Sequence, residues 1–158
     1  MSWQQKLADE LHKPIKRNFT RRRVIANNSD EICTSDLIDM KPLKKINKGF
    51  KYLLMVIDVF SKYGWIKALK NKSGNSVTEA FETILKEGRK PKYLWTDKGK
   101  EFYNKDLNKL LDNHKITLYS TENEEKSSVV ERWNRTMKNK MWKMFTANNN
   151  RVFYDKLL

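Results

Sequence analysis

Three short segments of this 158-residue chain gather the side chains able to do chemistry. They are Thr34-Ser35-Asp36-Leu37-Ile38-Asp39-Met40, Thr96-Asp97-Lys98-Gly99-Lys100-Glu101-Phe102, and Lys126-Ser127-Ser128-Val129-Val130-Glu131-Arg132-Trp133-Asn134-Arg135-Thr136. Each holds carboxylates, whose hard oxygens suit Mg2+ or Mn2+. Two such ions about 3.5 to 4 Å apart can stabilise both the attacking and the leaving oxygen of an in-line displacement at phosphorus, provided carboxylates fix them. Taken singly, each acid has an ordinary explanation. Glu131 follows Ser128 at capping-box spacing and reads first as a helix-start residue. Asp97, ahead of Lys98-Gly99, reads first as a turn residue. Asp39 and Asp58 are further acids nearby, but Asp36 and Asp39 lie three positions apart. On a regular strand they face opposite sides and cannot both point at one metal site.

The elements that must position these segments follow from the apolar pattern. β-Favouring residues dominate from Ile32 to Met40 and from Phe50 to Val59, and Tyr52-Leu53-Leu54-Met55-Val56-Ile57 is almost continuously apolar, as in a strand buried on both faces. Gly64-Trp65-Ile66-Lys67-Ala68-Leu69 follows the short Ser61-Lys62-Tyr63 turn and is expected to pair antiparallel with it. Ser76 and Glu79 have capping-box spacing ahead of a helical stripe of Val77, Ala80, Phe81, Ile84 and Leu85. After Gly88 and Pro91, the strand Tyr93-Leu94-Trp95-Thr96 delivers Asp97 at its C-terminal end. Leu107, Leu110 and Leu111 mark a helix, Ile116 to Tyr119 a strand, and Val130, Trp133, Met137, Met141 and Phe145 a final long helix. The order βββαβαβα predicts a five-stranded mixed α/β sheet with helices on both faces.

Composition narrows the partner. Lys and Arg number 33 against 19 Asp and Glu, a formal charge of +14, which points to a polyanion and first to nucleic acid. No apolar run reaches membrane-spanning length, so a soluble, intracellular protein without a membrane partner is expected. Cys33 is the single cysteine, and with only His12 and His114 it offers no zinc-ligand spacing. Residues 1–30 form a basic arm with Lys13, Lys16, Arg17, Arg21, Arg22 and Arg23, suited to phosphate contact or nuclear import, or simply to a solvated surface.

The three segments in this order, with Asp58-Val59-Phe60-Ser61-Lys62-Tyr63 between the first two, resemble the integrase core shared by retroviruses, retrotransposons and Maverick/Polinton-type DNA elements, and most of all the last. The resemblance runs over residues 10–158. It implies an RNase H-like fold, the antiparallel strands coming first and the parallel ones after, with residues 31–158 as the catalytic core. It also implies that Asp36, Asp97 and Glu131 form an acidic triad holding Mg2+ or Mn2+, two ions in all, and that Asp39 and Asp58 lie outside it. The 33 residues between Asp97 and Glu131 are slightly fewer than retroviral members carry. The resembling domains continue past Phe153-Tyr154-Asp155-Lys156-Leu157-Leu158, so a core truncated at its C-terminal end is expected.

The implied activity is metal-dependent cutting and joining of DNA, by a homo-multimer holding element ends and target DNA in the nucleus. Glu131, Asn134, Arg135 and Lys138 fall at i, i+3, i+4 and i+7 of the last helix. The three after Glu131 are candidate DNA contacts, with Lys126 in the preceding loop. The stripe of Trp133, Met137 and Met141 reads as core. Two alternatives stay open: a catalytically inactive or host-adopted DNA-binding protein with the same fold, and a ribonuclease acting on RNA-DNA hybrids. In every case phosphate neutralisation releases counterions, so DNA affinity measured in a salt titration is expected to fall steeply with ionic strength. An affinity indifferent to salt would contradict it.

Overall fold

The computed structural model describes residues 24–120 and 128–155. The basic arm residues from Lys13 to Arg23 and Lys126 lie outside the described residues. Five strands and three α-helices follow in the expected order: β1 Ile32–Asp39, β2 Tyr52–Asp58, β3 Gly64–Leu69, α1 Gly74–Lys86, β4 Tyr93–Trp95, α2 Lys105–Asn113, β5 Thr117–Tyr119 and α3 Ser128–Ala147. A short 3-10 helix, Lys41–Leu43, follows β1. The sheet order is β3-β2-β1-β4-β5, antiparallel from β3 to β1 and parallel from β1 to β5.

The period-two alternation of β2 divides its side chains between two cores, as a strand covered on both faces must. Tyr52, Leu54 and Val56 pack with Val77, Phe81, Ile84 and Leu85 of α1 and with Leu107 and Leu111 of α2. Leu53, Met55 and Ile57 pack on the other side with Val130, Met141 and Phe145 of α3. Trp133 and Met137 are partly buried against this second core, in keeping with the expected apolar stripe. Trp133 lies so close to β3 that a methyl group on Gly64 would collide with its indole. The Cys33 thiol is buried in the first core, and burial pushes it up to about 12, so it stays a neutral packing group.

Two polar arrangements tie the layers together. Asn47, fully buried, donates from Nδ2 to the Leu43 and Arg151 carbonyls at 2.9 and 3.0 Å and accepts from the Phe153 amide at 2.7 Å. It thereby fixes the chain after α3 against the loop after β1. At the opposite end Asp58, 0% exposed, closes the β2–β3 turn by accepting from the Ser61 amide at 3.0 Å, with Arg89 at 3.1 Å and the Asp30 amide at 3.3 Å. Arg89 also donates to Asp30 from Nε at 2.8 Å, so residues 24–30, counted in sequence with the arm, reach the body through Asp30.

One local expectation is corrected. The cap of α1 is Ser73, whose side chain accepts from the Ser76 amide at 3.3 Å, three residues before the expected cap. Asn71 explains the shift: its Oδ1 accepts from the hydroxyls of both Ser73 and Ser76, which fixes the turn ahead of Gly74. Glu79 instead accepts from Asn75 at 2.9 Å.

Burial alone would raise the Asp58 carboxyl, but hydrogen bonds from Ser61 and from the Phe60 and Asp30 amides outweigh it and hold the group below its ordinary range. A carboxyl depressed in the folded state stabilises the fold above its unfolded value, near 3.9, and that stability is lost as pH falls through the lower folded value. Asp58→Asn is therefore expected to lower the Tm at neutral pH and to lose less Tm than the parent on acidification below about pH 4. Parallel Tm-versus-pH curves for the two proteins would refute this assignment.

Candidate active site

Asp36 sits in the second half of β1, whose register is fixed from both sides. On one flank Asp36 pairs with Met55 of β2. On the other, β1 and β4 run parallel with Ile32 opposite Tyr93, Cys33 opposite Leu94 and Thr34 opposite Trp95. Continued by two residues, that register sets Asp97 across from Asp36. The Thr96 amide still bonds the Tyr119 carbonyl at 3.1 Å, so the sheet supports the chain up to the residue before Asp97.

Asp36 is half-buried and lies on the sheet face that α3 covers. Its Oδ1 accepts from the Leu37 amide at 2.8 Å, and its Oδ2 accepts from Asn134 Nδ2 at 2.7 Å. Asn134 is 7% exposed, and its own Oδ1 is buried without a hydrogen-bond partner among the described residues. The amide is oriented by this bond, since turning it over would set two oxygens face to face. Asn134 was expected on a DNA-gripping surface; the structure turns it inward onto a carboxylate. Three residues earlier on the same helix, Glu131 is exposed one turn away, and Arg135 and Lys138 are exposed as well.

Asp97 is exposed, and its Oδ1 accepts from the Gly99 amide at 3.2 Å, the local turn that its neighbours suggested. The carboxylates crowd around Gly99: a Cβ there would lie 2.7 Å from the Glu101 Oε2 and 3.0 Å from Asp97 Oδ1. Glu101 thus stands beside Asp97, a neighbour the sequence reading did not single out. Asp39 is drawn off to Lys41 at 2.9 Å, and its carboxyl is held low first by that side-chain hydrogen bond. Asp58 is locked beneath Arg89. Asp58 and Asp39 lie at opposite ends of the β1–β2 ladder, and each is engaged by a cation of its own.

The structure therefore brings Asp36 together with Asn134, and Asp36 and Asp97 each follow two residues after the last β1–β4 pair, Thr34–Trp95. It does not bring three acids into one ligand set: among the described residues no group of three or more His, Cys, Asp or Glu side chains is placed to hold a metal ion. The donor chemistry nevertheless fits a hard divalent cation, since Asp36, Asp97 and Glu131 all offer carboxylate oxygens. Among the described residues, no helix is long and apolar enough to cross a membrane.

The comparisons with known proteins agree with this architecture. The integrase core domain family matches residues 26–125, a span that includes Asp36 and Asp97 and stops before Glu131. A transposon-derived protein of Caenorhabditis elegans is 40% identical over 75% of this chain, which spans 42% of that protein. The Pol polyprotein of Radiation murine leukemia virus is 33% identical over 72% of the chain, which spans 20% of it. Among solved structures, the dimeric HTLV-2 integrase catalytic core domain in complex with magnesium superposes with a TM-score of 0.64 at 22% identity, covering 77% of both chains. A simian T-cell lymphotropic virus intasome gives 0.68 at 20% identity, covering 87% of this chain and 48% of that one. The five-stranded mixed sheet thus has the RNase H-like fold and is structurally similar to the retroviral integrase catalytic core. By sequence as well as by fold, the chain belongs to the integrase core domain family.

Proposed function

We propose that this chain is the catalytic core of a polynucleotidyl transferase that cuts and joins DNA, with Asp36, Asp97 and Glu131 as its metal ligands. The observation that carries the reading is the 2.7 Å bond from Asn134 to Asp36, which sets the helix bearing Glu131 against the strand bearing Asp36. Two Mg2+ or Mn2+ ions held by these oxygens would activate the attacking group and stabilise the leaving oxygen. Everything else falls to the chain. Asn134 holds the Asp36 carboxylate in one rotamer, and the β1–β4 register fixes the spacing to Asp97. Arg135 and Lys138, exposed beyond Glu131, carry charge toward DNA phosphates, and Lys126 belongs to the same proposal.

In cutting, a water oxygen attacks phosphorus while the bond to the 3'-oxygen breaks, leaving a 3'-hydroxyl and a 5'-phosphate. In joining, that 3'-hydroxyl attacks a phosphorus of target DNA and displaces its 3'-oxygen. We further infer that the protein acts as a homo-multimer on element ends and target DNA, in the nucleus, with residues 1–30 as a basic arm and residues 31–158 as the core. An origin in Maverick/Polinton-type elements is part of the proposal, supported by the higher identity to a transposon-derived relative than to the viral polyproteins.

Mn2+-dependent nicking of supercoiled DNA is the direct test. Glu131→Gln and Asp36→Asn are each expected to abolish it while leaving low-salt DNA binding within about twofold, because surface phosphate contacts supply most of that affinity. Nicking that survives both changes would remove the triad; binding without nicking in the parent chain would favour the host-adopted DNA-binding reading. Cleavage of an RNA-DNA hybrid in preference to duplex DNA would instead favour the ribonuclease.

Asn134→Ala tests the positioning role separately. It is expected to raise the Mn2+ concentration for half-maximal nicking by roughly 10- to 100-fold, as loss of an outer hydrogen bond to a ligand does, with activity recovering at saturating metal. An unchanged metal requirement would show that the bond only holds the fold.

A further inference from the structure

A second surface, at the far end of α3 from Glu131, has no part in the chemistry above. A groove of about 520 Å3 opens there between Ile46, in the loop after β1, and the end of α3 with the residues that follow it, including Trp142, Asn149, Asn150 and Arg151. That volume falls in the range of small-ligand sites. The groove has fixed walls, because Asn47, next to Ile46, is bonded to the Arg151 carbonyl at 3.0 Å and to the Phe153 amide at 2.7 Å. Trp142 and Ile46 are 50% and 49% exposed, unusual for large apolar side chains beside a wall held this firmly. The indole is braced edge-on by Phe145 at 5.4 Å, and the Arg151 guanidinium lies over it at 5.8 Å.

Charge decides what such a groove takes. None of its lining residues is acidic, while Arg151 lines it and exposed Lys44, Lys45 and Lys48 flank Ile46 in sequence. A half-exposed indole beside an arginine and two asparagine amides, with exposed Lys44 and Lys45 next to Ile46 in the chain, matches the means by which proteins hold unpaired bases. The ring stacks on the base and the cations meet the adjoining phosphates.

We propose that this groove binds an unpaired nucleotide of a single-stranded DNA segment, its base against Trp142 and its phosphates against Arg151, with Lys44 and Lys45 of the adjoining loop adding positive charge. This goes beyond the cutting and joining reaction, and it stands whether or not the acidic triad is active.

The test is binding of the full chain to a fluorescent oligo(dT) of about twelve nucleotides and to a blunt duplex of equal length, both without divalent metal. Trp142→Ala is expected to weaken oligo(dT) binding roughly tenfold, the scale of one stacked base, and duplex binding less than twofold, while Trp142→Phe keeps most of the single-strand affinity. Arg151→Gln leaves the indole in place and is expected to weaken oligo(dT) about threefold, which keeps the proposal testable should Trp142→Ala unfold the helix end. Unchanged oligo(dT) affinity in Trp142→Ala and Arg151→Gln would overturn the proposal, as would equal losses on both DNAs. So would polyglutamate that perturbs Trp142 fluorescence where oligo(dT) does not, since that would assign the groove to an acidic peptide.

Discussion

The register of β1 is the constraint on which the remaining geometry rests. Its side chains alternate between two cores, so a slip of one residue against either neighbour would carry Asp36 from the α3 face to the face covered by α1 and α2. Two different pairings prevent this, antiparallel with β2 over seven residue pairs and parallel with β4 over three. The long antiparallel ladder supplies the hold, and the short parallel one delivers Asp97. Apolar residues on both faces of β2 make a slip costly twice over, because both cores would have to exchange their contents at once.

What could be read in advance was whatever depends on apolar periodicity. The unbroken run in β2, the strand β3 and the stripe of α3 emerge within a residue or two of where the pattern puts them, since burial on sheet faces and helix stripes is periodic by construction. Asp36, Asp97 and Glu131 were legible only as an ordered set carried by resemblance, because each acid alone looks like a cap or a turn. Asn134 shows the limit of reasoning from helix spacing. It shares a stripe with Arg135 and Lys138 on a helical wheel, yet only a packing partner decides which edge of that stripe turns inward. Asn47 and Arg89 escaped for the same reason: their partners lie about a hundred and about thirty to sixty residues away, and nothing local announces a bond of that range.

Two of the acids are tied up elsewhere: Asp58 and Asp39 are paired with Arg89 and Lys41, while Asp97 and Glu131 stay exposed. The Asn134 amide, itself neutral, fixes one Asp36 oxygen without adding a charge of its own.

The glycine that opens β3 has a reach out of proportion to its size. Trp133 packs into the space that Gly64 leaves and stands next to Asn134, so the roll of the long helix about its axis is indexed by an indole resting on an edge strand. A side chain at that position, two strands removed from Asp36, would press on the indole next to Asn134, so the smallest residue on the outer strand sets how closely the long helix can settle on the sheet.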